Sequence, residues 1–328
     1  MIDSRDVRVH KPSTADLEWA ETNYFSFYVP EESLNGCIYV LTRANVAATL
    51  STVVLFKGFR RHHWEALYAD SRMHLPMPQG DLDDYRLPNG LHVHATDPPR
   101  NYDVDYRSQD GTEIHFRFRG LMEPYDIHDP RMDPIAAAQQ GKEFSWGTAY
   151  KGHFDLTGSI EGEFVLRGQR SAISCVSTMD HSWGPRPEVG LPNMSWFHAH
   201  FGEDLAVHCI FPCEPEDFAS YGPLAHGYVL ENGNVYGLAS GHGNARRERG
   251  QQMTMGIEVK DVRGRSYQLN GHAIATYPWT PWPAVVAFHS LNEWSLGGRV
   301  GYGECMDVFD VAGLAARRAR GGIGSSSP

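Results

Sequence analysis

The segment from Asp180 to Arg186 combines the residue types from which proton-transfer sites are built. It reads Asp-His-Ser-Trp-Gly-Pro-Arg, so a carboxylate, an imidazole, an indole and a guanidinium occur within seven positions. An imidazole titrates near neutral pH and a carboxylate can orient it, so Asp180 and His181 form a candidate acid/base pair. The alternative interpretation is a structural corner, in which Asp180 caps backbone amides and Trp183 fills one end of a barrel.

Such a pair has the groups that cofactor-free hydration or dehydration needs. A general acid must protonate carbon or the leaving hydroxyl group, and a base must handle the water. A partly apolar pocket would raise the pKa of Asp180, which could then act as the acid while His181 holds the water or orients Asp180. Trp183 could present its π face to a developing carbocation, and Arg186 could pair with Asp180 or fix the loop.

A second group of candidates follows on two predicted strands. The run 195–201 places His198 and His200 on one strand face, and a tight turn at 202–204 would place His208 opposite His198. Three converging imidazoles could bind zinc or iron, so a metal-dependent lyase or hydrolase is an alternative. We favour histidines that line a polar part of the pocket or face solvent, and we predict neither a metal nor another cofactor. The remaining candidates for a substrate-binding wall are Tyr150, His153, Trp196 and Trp294.

The elements that hold these residues are predicted to be strands. The 33 glycines and 20 prolines suit many short strands joined by turns. The run 114–119 alternates apolar and polar residues, as a half-buried strand does, and Glu231-Asn232-Gly233-Asn234 is typical of a hairpin turn. There are too many such runs for one small barrel. We therefore predict an all-β protein of two consecutive barrel or sandwich domains, with few short helices.

The predicted division of the chain has four parts. They are an N-terminal lead-in at 1–22 with one short helix at 14–21, a first domain at 23–187 that ends in the Asp180 segment, a second domain at 188–314, and a disordered tail at 315–328. A loop rich in Pro and Asp at 123–145, with a short helical run at 135–140, is typical of a lid or binding element.

The composition excludes several classes of partner. With 40 acidic and 29 basic residues, the net charge of −11 disfavours binding to nucleic acid or to an anionic membrane surface. We find neither a signal peptide nor an apolar run long enough to span a bilayer. Five scattered cysteines suggest reduced thiols and a cytoplasmic location. The expected partner is a small hydrophobic molecule, and a homodimer is possible.

The segment Asp180 to Arg186 also resembles the DHxWG signature of two-domain lipocalin-like (calycin) proteins related to carotenoid 1,2-hydratase. That group is similar to kievitone hydratase and to the lipocalin-like pericyclases of secondary metabolism. The runs 23–27, 152–162 and 301–304 fit an uncharacterised bacterial branch, and the resemblance covers most of residues 20–310. It implies two barrel-like domains, an apolar pocket in or between them, and hydration, dehydration, isomerisation or cyclisation of an unsaturated substrate.

Two classes of function therefore stay open at the level of sequence. The first is a cofactor-independent hydratase, dehydratase or isomerase that acts on a terpenoid, steroid or phenolic substrate. The second is a non-catalytic carrier of hydrophobic ligands, in which the Asp180 segment is purely structural.

Overall fold

The computed structural model describes residues 1–12, 15–139, 150–213, 217 and 219–320, and it confirms the all-β prediction. The first sheet contains β1 (Trp19–Val29), β2 (Leu34–Arg43), β3 (Ala48–Lys57), β4 (Tyr68–Pro76), β5 (Asp84–Arg86), β6 (Leu91–Asp97), β7 (Asn101–Arg107), β8 (Glu113–Gly120), β9 (Tyr125–Asp126), β10 (Gly152–Leu166) and β11 (Gln169–Pro185). The second contains β12 (Met194–His200), β13 (Leu205–Pro212), β14 (Ser220–Tyr221), β15 (His226–Glu231), β16 (Asn234–Glu248), β17 (Gln251–Asp261), β18 (Ser266–Trp282), β19 (Val285–Leu296) and β20 (Arg299–Asp310). Two helices, α1 (Pro134–Gln139) and α2 (Val311–Ala319), complete the described elements.

The first sheet is a half-barrel with the strand order β4-β3-β2-β1-β11-β10-β8-β7-β6-β5, and β9 pairs with β10. Strand β8 alternates buried and more exposed positions, which places Phe116 and Phe118 in the core. There they approach Phe25 of β1, whose ring also makes an edge contact with Tyr102 at 5.3 Å between centroids. These rings form an aromatic core on one face of the half-barrel.

The second sheet closes into a barrel of eight strands, because β16 pairs with both β15 and β17. Its interior is apolar and includes Phe197, which stacks on Trp294 at 5.3 Å. The predicted hairpin of β12 and β13 is confirmed, and His198 lies opposite His208 in its register.

The half-barrel and the barrel share one continuous core. Tyr24 of β1 packs edge-on against Trp196 of β12, with their centroids 5.4 Å apart, and Tyr39 of β2 packs edge-on against Trp279 of β18. The face of β1 and β11 that points away from the half-barrel core is therefore covered by the barrel.

Two predictions at the ends of the chain need correction. The helix predicted at 14–21 is wrong for the residues described there, because β1 already begins at Trp19. Hydrogen bonding to β2 and β11 outweighs the local helix propensity of this stretch. The tail predicted to be disordered from residue 315 is helical through Ala319, because Asp310 caps α2 by accepting a hydrogen bond from the Gly313 amide. Residues 321–328 lie outside the described part.

One further local prediction is confirmed where the chain is described. The helical run predicted at 135–140 corresponds to α1. Residues 140–149, which include the last part of the predicted 123–145 loop, lie outside the described residues. None of the five cysteines forms a disulfide bond within the described part of the chain. Among the described residues, no helix has the length and apolar character needed to cross a bilayer.

Candidate active site

A cavity lies between the half-barrel and the barrel, and both supply its walls. Its empty volume, which includes solvent at the open mouth, is about 670 Å³. The walls are mainly aromatic and apolar and include Tyr24, Tyr39, Trp196, Trp279, Trp282 and Met306. The sequence left open whether the pocket lies within one domain or between two, and the structure places this cavity between them.

Asp180 of β11 is the carboxyl group on the cavity wall. Its Oδ1 is buried and has no hydrogen-bond partner among the described residues. Burial raises its pKa from 3.8 to about 7; the nearby His153 and Arg186 oppose this rise, and the carboxylate of Asp155 adds to it. A substantial fraction of Asp180 is therefore protonated at neutral pH and able to donate a proton.

His153 of β10 is the imidazole on the same wall. Its Nε2 donates a hydrogen bond to Oδ2 of the fully buried Asp155 at 2.9 Å, and its Nδ1 is buried with no hydrogen-bond partner among the described residues. Burial alone would lower the pKa of His153, but the Asp155 charge outweighs this and raises it. Because Nε2 carries the donated proton, the neutral ring has its lone pair on Nδ1.

Asp155 is held by groups from both halves of the molecule. Trp196 Nε1 of the barrel donates to its Oδ1 at 2.9 Å, and His208 Nε2 lies 3.1 Å from its Oδ2. Burial opposes ionisation, but the two imidazoles of His153 and His208 outweigh it and keep the pKa of Asp155 well below its usual range. Asp155 is therefore a carboxylate that orients His153, and sequence reasoning missed it. The alternation His153-Phe154-Asp155 on a strand was the available signal, because it places both polar side chains on one face.

The pairing of β10 with β11 explains which side chains meet at the cavity. Asp155 lies opposite Asp180, and His153 lies opposite Ser182, so all four side chains share one face. His181 points to the other face, where its Nε2 lies 3.0 Å from Glu21 Oε1. The structure thus does not bring Asp180 and His181 together, because neighbouring residues of a strand point to opposite faces.

Trp183 also lies on the far face, and not on the cavity wall. Its indole stacks on the His10 ring with centroids 3.7 Å apart, and it packs so closely on Gly152 that a Cβ there would overlap the ring. Arg186 lines the cavity, with its guanidinium 3.8 Å from the centre of the Tyr150 ring. Arg186 Nη2 also donates to Ser182 Oγ at 2.7 Å, and Tyr150 is itself part of the wall.

The candidates of the second sheet divide between the cavity and the interior. Trp196 lines the cavity, whereas Trp294 lies inside the barrel. His198 and His208 are buried behind the wall, and His200, 3.0 Å from Thr178 Oγ1, borders a separate cleft. Among the described residues, His198, His200 and His208 do not place three ligand atoms within reach of one ion. The geometry therefore does not favour the metal-dependent alternative at this position.

A second buried carboxylate, Glu304 of β20, lies behind the cavity wall. It accepts a hydrogen bond from Tyr24 Oη at 3.0 Å, and the Nε2 atoms of His198 and His289 lie 3.3 and 3.2 Å away. Burial opposes its ionisation, but the two histidines lower its pKa well below the usual range. This carboxylate fixes the Tyr24 phenol, which reaches the cavity from β1.

Three solved structures share this arrangement of two β units. Kievitone hydratase from Nectria haematococca is 11% identical with a TM-score of 0.51, and the match covers 92% of this chain and 93% of that one. A putative AttH from Nitrosomonas europaea is 12% identical with a TM-score of 0.58, covering 88% and 91%. CghA is 12% identical with a TM-score of 0.54, covering 88% of each chain. At these identities the similarity shows the fold alone.

The family model of a domain of unknown function, DUF7064, matches residues 3–308, and the chain belongs to that family. No curated protein matches the chain.

Proposed function

We propose that this protein is a cofactor-independent hydratase or dehydratase of a hydrophobic, unsaturated substrate. One observation carries the proposal: an unpartnered carboxyl group with a pKa of about 7, Asp180, shares an aromatic cavity with the free Nδ1 of His153. An acid and a base on one wall of an apolar cavity are the two groups that the addition or removal of water requires.

In the hydration direction, Asp180 transfers its proton to one carbon of the double bond, and the adjacent carbon becomes electron-poor. Water adds to that carbon, and one water proton passes to His153 Nδ1. The imidazolium returns the proton to the Asp180 carboxylate through solvent or product, so one water molecule is consumed and both groups are restored. Dehydration follows the same steps in reverse: the imidazolium of His153 protonates the leaving hydroxyl group, and the Asp180 carboxylate accepts the proton from the adjacent carbon.

The other wall residues suit the charges that develop in this reaction. The faces of Trp196 and Trp279 can stabilise an electron-poor carbon, and the mainly apolar wall favours a terpenoid, steroid or phenolic skeleton. Asp155 compensates the positive charge on His153 when the imidazole accepts the proton. Kievitone hydratase, by its name a hydratase, has the same fold, which supports hydration among the reactions that such a site can perform.

The proposal is tested by mass spectrometry of terpenoid, steroid and phenolic alkenes and alcohols incubated with the protein in water enriched in oxygen-18. We expect one compound to gain or lose one water molecule, with the heavy isotope in the hydrated product. Asp180→Asn should lower the conversion by a factor of about 10²–10⁴, and the exposed matched variant Asp84→Asn should preserve it. A product of unchanged mass with a shifted retention time would replace hydration by isomerisation, and binding without conversion would support a carrier.

In the hydration direction the pH profile of kcat/KM should be bell-shaped, with an alkaline limb near pH 7. Asp180 must be protonated to act, so activity falls as pH rises through its pKa of about 7. His153 must be neutral to accept a proton, so activity also falls at low pH. The raised pKa of His153 moves this acidic limb to higher pH. A profile that stays flat from neutral pH into the alkaline range would remove Asp180 from the role of acid.

A further inference from the structure

Behind the catalytic wall, on the opposite face of β11, two imidazoles and a carboxylate converge. Oε1 of Glu21 lies 2.8 Å from Nδ1 of His10 and 3.0 Å from Nε2 of His181. All three potential ligand atoms lie within 4.8 Å of one another, and in the described part of the chain no other His, Cys, Asp and Glu group meets this criterion. Glu21 and His181 are buried, whereas His10 is partly open to solvent.

We propose that His10, Glu21 and His181 form a binding site for a divalent transition-metal ion of the zinc class. Two histidines and one glutamate are a common zinc ligand set, and three protein ligands leave a fourth position for water. Two neutral imidazole nitrogens beside a carboxylate oxygen favour zinc over calcium or magnesium, because those two ions bind mainly oxygen ligands. The Glu21 oxygen lies 2.8 and 3.0 Å from the two ring nitrogens, so small side-chain movements can place all three donor atoms at about 2.0–2.2 Å from one ion.

The surroundings of the two histidines match those of metal ligands. A ligating histidine usually directs its other ring nitrogen to a polar partner, which fixes the ring. The Asn23 side-chain amide lies 2.6 Å from Nδ1 of His181, and Oδ1 of Asp6 lies 3.7 Å from Nε2 of His10. Since amide oxygen and nitrogen are interchangeable by rotation, Asn23 can accept a hydrogen bond from Nδ1 once Nε2 binds the ion.

Trp183 gives the site a rigid side wall. Its indole stacks on the His10 ring, and the lack of a side chain at Gly152 allows the indole to lie flat against β10. Burial opposes ionisation of Glu21, but its contacts with the two imidazoles outweigh this and lower its pKa, so the oxygen at the centre of the group is charged. The motif residues His181 and Trp183, which do not reach the cavity, both contribute to this second site.

The three ligands come from the N-terminal segment, β1 and β11. A bound ion would therefore connect the segment before β1 to the strand that carries Asp180. Because His181 directly follows Asp180, the ion would restrict the backbone on which the catalytic carboxyl group is mounted. The metal ion has a positioning role in this arrangement and does not contact the cavity.

The test uses the full chain, produced without an affinity tag, stripped with a chelator and titrated with cobalt(II). We expect visible absorption bands of a cobalt site with about one equivalent bound per chain, displaced by zinc. The thermal midpoint should rise on addition of zinc. His10→Ala, at a partly exposed position, should fold normally and lose both the bands and the thermal shift.

The matched control is His115→Ala. His115 also contacts two carboxylates, Asp105 and Glu113, but through opposite ring nitrogens, so they cannot share one ion with it. Cobalt uptake should be unchanged in this variant. His181→Gln provides a second test of the ligand set. The proposal is overturned if the wild type binds no cobalt in excess metal, or if His10→Ala and His181→Gln bind as much as His115→Ala. None of these outcomes depends on the reaction proposed for Asp180.

Discussion

Asp180→Asn should lower turnover by a factor of about 10²–10⁴, the usual contribution of a general acid, while making the folded protein more stable above neutral pH. The pKa of Asp180 is raised from 3.8 to about 7 by burial, so the folded state binds more protons than the unfolded state between these pH values. Stability therefore falls as pH rises through this interval. The shift from 3.8 to about 7 corresponds to about 4 kcal/mol, and asparagine, which never ionises, avoids that cost.

The measurement is urea denaturation of the wild type and of Asp180→Asn at about pH 5 and about pH 8. The variant should gain stability relative to the wild type at the higher pH and little at the lower one. Asp84→Asn, whose carboxylate is exposed, serves as the control and should show no such gain. A loss of stability in Asp180→Asn at both pH values would support a structural corner instead of a proton donor.

Among isosteric substitutions at the site, Asp155→Asn should lower the free energy of unfolding most, by about 3–5 kcal/mol. The substitution removes a buried negative charge and leaves its buried partners without compensation. The carboxylate interacts with His153, His208 and Trp196. The amide of asparagine has one acceptor oxygen in place of two. If that oxygen accepts from Trp196, the amide N–H group faces the Nε2–H group of His153, and two donors then oppose each other. Activity should fall as well, because His153 loses the group that fixes its orientation.

Equilibrium denaturation by urea, with near-ultraviolet circular dichroism as the probe of tertiary packing, measures this effect. The control is again a carboxylate beside a histidine, Asp84 next to His92, where the exposed pair should contribute no more than about 1 kcal/mol. In Asp155→Asn the acidic limb of the pH profile should also move to lower pH, because the pKa of His153 is no longer raised. Equal stability losses in the two variants would contradict the central position given to Asp155.

Much of the fold was predictable because strand patterns are local. The hairpin with His198 opposite His208 followed from turn length, and the all-β class followed from the density of turns and alternating runs. The orientation of His181 was predictable in principle, but no strand was predicted through the motif, whereas β11 continues along it as far as Pro185. A continuous strand places residues 180 and 181 on opposite faces.

The environment of Asp155 could not be predicted in the same way. Its contacts with Trp196 and His208 join strands of different sheets, and no local pattern specifies how the half-barrel and barrel are oriented against each other. The same holds for Tyr24 and Glu304, which are 280 positions apart in the chain. Asp180 was found because its motif is compact, whereas the carboxylate that orients the proposed base depends on long-range contacts with Trp196 and His208.

The sharing of Asp155 between the two halves limits how this architecture can diversify. The negative charge belongs to the half-barrel, yet Trp196 and His208, which help to stabilise it, belong to the barrel. If the half-barrel were expressed alone, Asp155 would lose its contacts with Trp196 and His208. If the barrel were expressed alone, those two side chains would lose the carboxylate. Recombination that exchanges one half between relatives must therefore preserve these cross-boundary partners. Substrate range can change more freely at the aromatic positions of the wall, which do not balance a charge in the other half.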